Sequence, residues 1–328
     1  MEDLLKAMCR LRVLVIGDIM LDRYLQGLAT RISPEAPIPV VNIKQEHYRL
    51  GAAANVALNL CALGAQAQLC GVIGEDSHAK TIRTCLNKKG IPLYADPGSG
   101  YPRTIVKTRI IANNQQICRL DYEDQPEAYQ LHTFNNAAQL KKITTGIDAI
   151  ILSDYAKGVI STPLIATIRQ TAQSQGVLVA IDPKPKSQLH YHGLDLMTPN
   201  REESYQLADL PYQPHAPLPA EAICARIYER YQPQKLIITL GSEGMLLSTK
   251  DRPLNRIPTY AREAFDVSGA GDTVIAALTL SLIAGADLET AARFANTAAG
   301  VVLTKLGAAT ATPEEILTYH NNTAEQPP

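Results

Sequence analysis

Residues 265–286, FDVSGAGDTVIAALTLSLIAGA, put a carboxylate beside a ready-made anion site. Gly269, Ala270 and Gly271 open a long apolar run with the character of a helix. Glycine lets the backbone approach a ligand closely, and the first N–H groups of a helix have no partner within it. Such an opening holds anions. Asp272 follows at once, and it would repel a resting phosphate. It makes chemical sense as a base that accepts the proton of an attacking hydroxyl while the backbone N–H groups hold a phosphoryl group in transfer. Phosphoryl transfer needs mainly positioning and charge stabilisation, so one base plus one anion hole is a sufficient core. The plainer alternative is an acid that favours the first turn of a helix. A second segment, TPNREES, spaces Asn200 and Glu203 as a helix cap and its reciprocal partner.

Other chemistries lack their signatures. The chain has no G-x-x-x-x-G-K-[ST], and no G-x-G-x-x-G follows its first apolar run. H-E-x-x-H, zinc-spaced Cys/His sets and G-x-S-x-G are also missing. His190 and His192 sit two apart on a polar stretch and read as a solvated pair.

The elements that must carry these groups follow from periodicity. RVLVIGD, QAQLCGVIG, DAIILSD (148–154), VLVAID (177–182), DLMTPN (195–200) and KLIITLG (235–241) are short apolar, β-branched runs that read as buried strands. Helical stretches lie between them, among them GAAANVALNLCALGA (51–65) and DSHAKTIRTCLNKKG with Gly90 as its stop. Strands alternating with helices predict an α/β fold with a doubly wound, mostly parallel sheet covered on both faces. Two segments break the alternation. Residues 24–48 carry three prolines and a β-branched run, and residues 101–122 alternate β-branched and polar residues around the turn ANNQQ. They predict a small separate sheet that covers a site as a lid. Residues 208–221 read as a Pro-rich surface loop. The expected organisation is one domain over 1–320 and a frayed tail over 321–328.

Composition excludes several classes. The 328 residues are 46% hydrophobic and 19% charged, an ordinary globular balance with room for a large core. A formal charge of −1 gives no sequence-wide field for nucleic acid or an anionic membrane. The apolar run 273–286 is shorter than the ~18–20 residues that span a bilayer. The six cysteines form no C-x-x-C pair and read as buried, reduced thiols. The opening MEDLLKAMCRLR is acidic at its start and lacks the form of a secretory signal, so a cytoplasmic location is expected.

The run DVSGAGDT (266–273) resembles the C-terminal motif of the PfkB, or ribokinase-like, carbohydrate kinases. GAAANVALNLCALGA resembles their N-terminal motif, usually Gly-Gly-Ala-Ala-Asn. The resemblance covers nearly the whole chain. It implies that Asp272 is the catalytic base and that Gly269, Ala270 and Gly271 form the anion hole. It implies that Asn200 and Glu203 organise Mg²⁺ and the nucleotide phosphates, Glu203 largely through water. Arg201 and Glu202 fall in the same segment, and Gly241 and Gly244 in TLGSEGM are expected to shape the adenine pocket. Asp22 matches a sugar-hydroxyl acceptor, with Asp18 near it; a helix cap or lid ion pair is the alternative for both. Gly51 and Asn55 match the sugar-binding motif. Ala52 departs from the pattern, and its methyl group would crowd the sugar. Lys184 in DPKPK would neutralise charge at the transferring phosphate, but Pro185 replaces the usual glycine and restricts Lys184 to extended conformations.

Within the family, RISPEAPIPVV, NNQQICRLDYE, LSDYAKGVI and GVVLTKLGAAT resemble the kinases of D-glycero-β-D-manno-heptose 7-phosphate. That resemblance implies ATP with Mg²⁺, possible dependence on a monovalent cation, and phosphorylation of the anomeric hydroxyl on the way to ADP-heptose and lipopolysaccharide. Often such a kinase is fused to a nucleotidyltransferase; this sequence resembles the stand-alone form or a lone kinase half. Arg109, Arg119 and Lys157 are candidates to hold the sugar's own phosphate. The exposed lid edge predicts a homodimer. Other PfkB substrates, such as ribose, a hexose phosphate or a nucleoside, are the first alternative. A sugar- or nucleotide-binding regulator without turnover is the second.

Overall fold

The chain enters through a short helix, α1 (Glu2–Met8), and then forms β1 (Arg12–Gly17), in which only Arg12 is exposed. After Asp18 it runs into β2 (Ile19–Ile32), folds back as β3 (Pro39–Ala52) and enters α2 (Ala53–Ala62). Next come β4 (Gln66–Val72), α3 (Ser77–Lys88), β5 (Leu93–Asp96) and the hairpin of β6 (Ile105–Ala112) and β7 (Gln115–Tyr122). The alternating half comprises α4 (Ala137–Thr144), β8 (Ala149–Ser153), α5 (Thr162–Gln175), β9 (Leu178–Asp182), β10 (Leu196–Met197), α6 (Arg201–Leu207), α7 (Ala220–Tyr231) and β11 (Lys235–Thr239). A second hairpin, β12 (Met245–Thr249) and β13 (Arg252–Ile257), precedes α8 (Ala270–Ile283), α9 (Leu288–Leu303) and α10 (Pro313–Ala324). This computed structural model describes residues 1–96, 98, 100–132, 137–214, 216–250, 252–259, 267–305 and 307–324.

The expected α/β architecture is what forms. Nine strands order as β13-β12-β11-β10-β9-β8-β1-β4-β5, parallel except for the β11–β12–β13 edge. Side chains alternate across β1: Val13 and Val15 join one core with α2, α8 and α9, and Leu14 and Ile16 join the other with α5 and α7. Burial on both faces explains why these strands read as continuous apolar runs. A separate four-stranded sheet, β3-β2-β6-β7, forms the lid. Its β6–β7 turn carries Asn113 at φ 52° and Asn114 at φ 63°, the two left-handed positions of a type I′ hairpin.

Several boundaries differ from the sequence reading. The lid strands begin at Ile19 rather than near residue 24, because the pairing of β2 with β3 extends to Ile19 opposite Ala52. The run 51–65 is not helical throughout: Gly51 and Ala52 finish β3, and the helix starts at Ala53. DLMTPN supplies only a two-residue strand, Leu196–Met197, before Asn200 turns the chain into α6. The expected tail is helical as far as Ala324. Cys70 and Cys224 are buried, but Cys9 and Cys118 are exposed, so the buried-thiol reading fails for those two. Residues 325–328, His215, Leu306 and Asp266, which opens the DVSGAGDT run, lie outside the described residues.

Candidate active site

The candidate groups gather at the C-terminal ends of β1, β8, β9 and β11, the end of a parallel sheet where ligands settle. Gly269 caps α8 at φ 80°, a left-handed conformation, and a Cβ there would lie 2.7 Å from Asn55 Nδ2. Only glycine lets the helix start approach Asn55 this closely. No side chain among the described residues caps this helix; the Ala270 N–H donates to Val267 O at 3.3 Å, and the turn around Gly271 is the part that faces an anion. Gly271 faces Asp182, whose Oδ2 would be 3.9 Å from a Cβ at that position.

Asp272 is 3% exposed. Its Oδ2 accepts a hydrogen bond from Asn55 Nδ2 at 2.7 Å, and its Oδ1 accepts one from the Tyr155 hydroxyl at 2.8 Å. Burial pushes its pKa up to about 6, the charge of Asp22 adds to this, and the two hydrogen bonds hold it back. Such a carboxylate is ionised near neutral pH yet basic enough to take a proton. Helix α2 is keyed to α8 one turn further on, where Thr273 Oγ1 donates to Asn59 Oδ1 at 2.8 Å. Asn55 Oδ1 is buried without a partner among the described residues. An open acceptor beside the base is what a hydroxyl-rich substrate would satisfy.

On the lid, Asp22 of β2 pairs with Arg109 of β6. A Cβ at Gly51 would stand 2.6 Å from Asp22 Oδ2, so glycine here makes room for the carboxylate. Ala52 takes φ 52°, ψ −130°, a backbone conformation that glycine adopts freely and alanine only under strain. Its side chain is buried in the core with Met20 and Ile105, so it strains the backbone rather than crowding the sugar.

Asp18 is corrected from sugar contact to loop anchor. It is 0% exposed, its Oδ2 accepts from the N–H groups of Tyr155 (2.8 Å) and Lys157 (3.1 Å), and its Oδ1 from that of Val159 (3.1 Å). Both oxygens are spent on backbone. Arg119 also departs from its expected role: it is half exposed and forks onto Asp121 at 2.8 and 2.9 Å. Lys157 donates to Glu123 at 2.7 Å. Arg109 remains over the site and lies 5.3 Å from the Tyr24 ring centroid.

The residues expected to serve the nucleotide form a capping box. Asn200 Oδ1 accepts from Glu203 N and Glu203 Oε2 accepts from Asn200 N, both at 2.9 Å. Glu203 Oε1 accepts from Lys184 Nζ at 2.6 Å. Burial depresses the Lys184 pKa, but the hydrogen bond and charge of Glu203 outweigh it and hold the ammonium. Lys184 is extended, φ −119°, ψ 96°, as Pro185 requires. Asp182 lies between this pair and Asp272; burial and the charges of Glu203 and Asp272 raise its pKa well above the carboxylate range. Arg201 pairs with Glu243 and donates to Ala216 O, bracing the 241–244 turn, whereas Glu202 is exposed and accepts from Gln206.

Beside that turn, a largely apolar cavity of about 250 Å³ is lined by Thr239, Gly241, Gly244, Gly271, Asn296 and Gly300. It fits a flat base and opens at the start of α8, so phosphates would reach the anion hole. A Cβ at Gly244 would meet Ile257 O at 1.9 Å. A larger hollow of about 390 Å³ lies at the opposite end of the strands, near Arg169 and Asp195, away from all these groups. Among the described residues no three His, Cys, Asp or Glu side chains form a cation site by themselves. Magnesium suits this donor set as an ion carried mostly by phosphates and water, with Glu203 and Asp182 in reach.

Tyr155, Asp182 and Arg49 are functional candidates that sequence reasoning passed over. Arg49 donates to Ala308 O at 3.1 Å and lies 5.9 Å from the Tyr24 ring centroid. Tyr155 and Asp182 carried one legible signal, Tyr155 just beyond β8 and Asp182 as the last residue of β9, both at the ligand-binding end of the sheet.

Residues 10–315 match the model of the pfkB family carbohydrate kinases, and the chain belongs to that family. It is 42% identical over 320 residues to the bifunctional protein HldE of Trichlorobacter lovleyi, covering 96% of this chain and 64% of that protein. The HldE of Coxiella burnetii is 42% identical over 308 residues, 93% of this chain and 62% of its own length. The chain thus spans somewhat less than two thirds of these relatives. In fold it is similar to Escherichia coli phosphofructokinase-2 in complex with potassium, TM-score 0.76 at 18% identity, covering 96% and 99% of the two chains. Arabidopsis thaliana ribokinase with ribose and ATP gives a TM-score of 0.71 at 19% identity, covering 94% and 98%. No helix among the described residues is long and apolar enough to cross a membrane.

Proposed function

We propose that the protein phosphorylates the anomeric hydroxyl of D-glycero-β-D-manno-heptose 7-phosphate, using ATP and Mg²⁺, to give the 1,7-bisphosphate for ADP-heptose and lipopolysaccharide synthesis in the cytoplasm. The observation that carries the kinase reading is Asp272: a buried carboxylate, oriented by Asn55 and Tyr155, directly after an open helix start. MgATP supplies the phosphoryl group. Asp272 takes the hydroxyl proton, and the backbone N–H groups at the start of α8, that of Gly271 foremost, stabilise the charge that develops in transfer. Asp22 and Asn55 hold sugar hydroxyls, and Lys184 and Glu203 order the phosphate side. The anomeric hydroxyl is more acidic than an ordinary alcohol, so a carboxylate suffices as its base.

The heptose phosphate reading is supported by the lid and its resemblance to heptose 7-phosphate kinases, and by the HldE relatives at 42% identity. Arg109 and Arg49 flank Tyr24 over the site and supply the positive charge a second phosphate needs. The test is ADP release with synthetic heptose 7-phosphate against ribose, fructose 6-phosphate and nucleosides, with the product carbon located by phosphorus NMR. Much faster turnover of another sugar would overturn the substrate.

A homodimer joined through the lid is part of the same reading. Leu120 and Tyr122 on edge strand β7, and Ile32 and Ile38 near the β2–β3 turn, are 42–64% exposed. Light scattering at micromolar concentration is expected to give the dimer mass; a monomer would refute it.

A further inference from the structure

We propose that the loop 154–159 is a positioning device that couples the lid to the catalytic base, with Tyr155 orienting Asp272 and Lys157 latched to Glu123. This rests on Asp272 acting as the base. Three sets of contacts define the device. From beneath, Asp18 gathers the N–H groups of Tyr155, Lys157 and Val159, and Asp154 Oδ1 accepts from Ala156 N at 2.8 Å. Asp154 Oδ2 is itself fixed by the hydroxyls of Ser187 and Tyr191, each at 2.7 Å. These bonds hold Ala156 at φ 56°, a conformation alanine avoids on its own.

Toward the site, Tyr155 is the second of the two donors that fix the Asp272 carboxylate. Toward the lid, the loop meets the chain just after β7. Lys157 Nζ bonds Glu123 Oε1 at 2.7 Å, and Lys107 of β6 lies 3.9 Å from Glu123 Oε2. Lys157 and Glu123 are only 22% and 30% exposed, so water screens the pair less than a surface ion pair. Gly158 packs so tightly on Pro126 that a Cβ would lie 1.8 Å from its carbonyl oxygen. A shift of the lid strands therefore pulls on the loop that carries the Tyr155 hydroxyl. Asp18 is beyond reach of substrate, and its role is to transmit that pull without letting the loop yield.

The groups that face Asp272 are Asn55 from α2, Tyr155 from the loop, Asp22 from β2 and Asp182 from the end of β9. Removing the Tyr155 hydroxyl takes away a bond that favours the charged base, so its acid limb must move up. Tyr155→Phe is expected to shift the acid limb of the kcat/KM profile upward by about one pH unit and to lower kcat about tenfold. Glu123→Gln, on the lid and distant from the base, is expected to shift the limb in the same direction. The double variant should shift it no further than Tyr155→Phe alone, since both act through one hydroxyl.

Hydrogen exchange in the substrate-free protein is the independent arm. Glu123→Gln should speed exchange of the Tyr155, Lys157 and Val159 amides about tenfold while β1 and β8 keep their protection. An unmoved acid limb in Tyr155→Phe, additive shifts in the double variant, or unchanged exchange in Glu123→Gln would each overturn the coupling. If the wild type phosphorylates no sugar, the proposed function fails, and exchange alone still decides whether the lid holds the loop.

Discussion

Asp272→Asn should abolish phosphoryl transfer and make the protein more stable, with a gain that depends on pH. The folded protein pushes this carboxyl from 3.8 to about 6, chiefly through burial. Two pKa units correspond to about 3 kcal/mol of preference for the neutral form. Below the unfolded value both states are protonated, and the shift costs nothing. As pH rises through about 6, the folded state must carry a charge that the unfolded state carries more easily, and the full penalty is reached. Asparagine has the same shape and no charge. It replaces an acceptor oxygen with an N–H₂ group, a loss of about 1 kcal/mol in hydrogen bonding. Part of that loss is recoverable, because Asn55 Oδ1 lacks a partner and a flip of the Asn55 amide would turn it toward the new donor. The variant is therefore expected to be about 2 kcal/mol more stable than wild type near pH 8 and no more stable near pH 4. Urea unfolding of both proteins at both pH values measures this, and calorimetry should show that ATP still binds. A variant less stable at pH 8, or a difference that does not change with pH, would refute the burial argument. Turnover should fall by about a thousandfold or more, and near-normal turnover would remove Asp272 from the mechanism.

The remaining outcomes follow from single contacts. The wild-type kcat/KM for the sugar should fall about tenfold per pH unit below about 6, because only ionised Asp272 accepts a proton; a flat profile down to about pH 5 contradicts this. Gly51→Ala puts a methyl group 2.6 Å from Asp22 Oδ2 and should raise the sugar KM about tenfold, with ATP affinity unchanged by calorimetry. Ala52→Val adds a β-branched side chain at φ 52° in a buried position and should destabilise the fold by about 3 kcal/mol in urea titration, whereas a loss within error would show that the turn relaxes freely.

How far the sequence could be read depended on whether a group's partners are local. Asp272 and its anion hole stand in one short run, and Asn200 and Glu203 satisfy each other across three residues, so chemistry and capping were both legible. Asp18 was not. It follows the first strand, in the place expected of a sugar-binding carboxylate, but its partners are 137, 139 and 141 residues away, and only the adjacency of β1 and β8 brings them within reach. Tyr155 escaped notice for the same reason, since its bond to Asp272 joins the loop after β8 to the first turn of α8, 117 residues further on. The lid cations separate by register: Arg109 stands beside Tyr24 on the central pair β2–β6, and Arg119 sits opposite it on the edge strand, where Asp121 takes it. Ala52 shows the limit from the other side. A family glycine replaced by alanine suggested a crowded sugar, but the methyl group lies in the core and the constraint is a left-handed backbone. Motif spacing says which residue type stands at a position. Only the fold says whether that residue was chosen for what its side chain touches or for the turn its backbone makes.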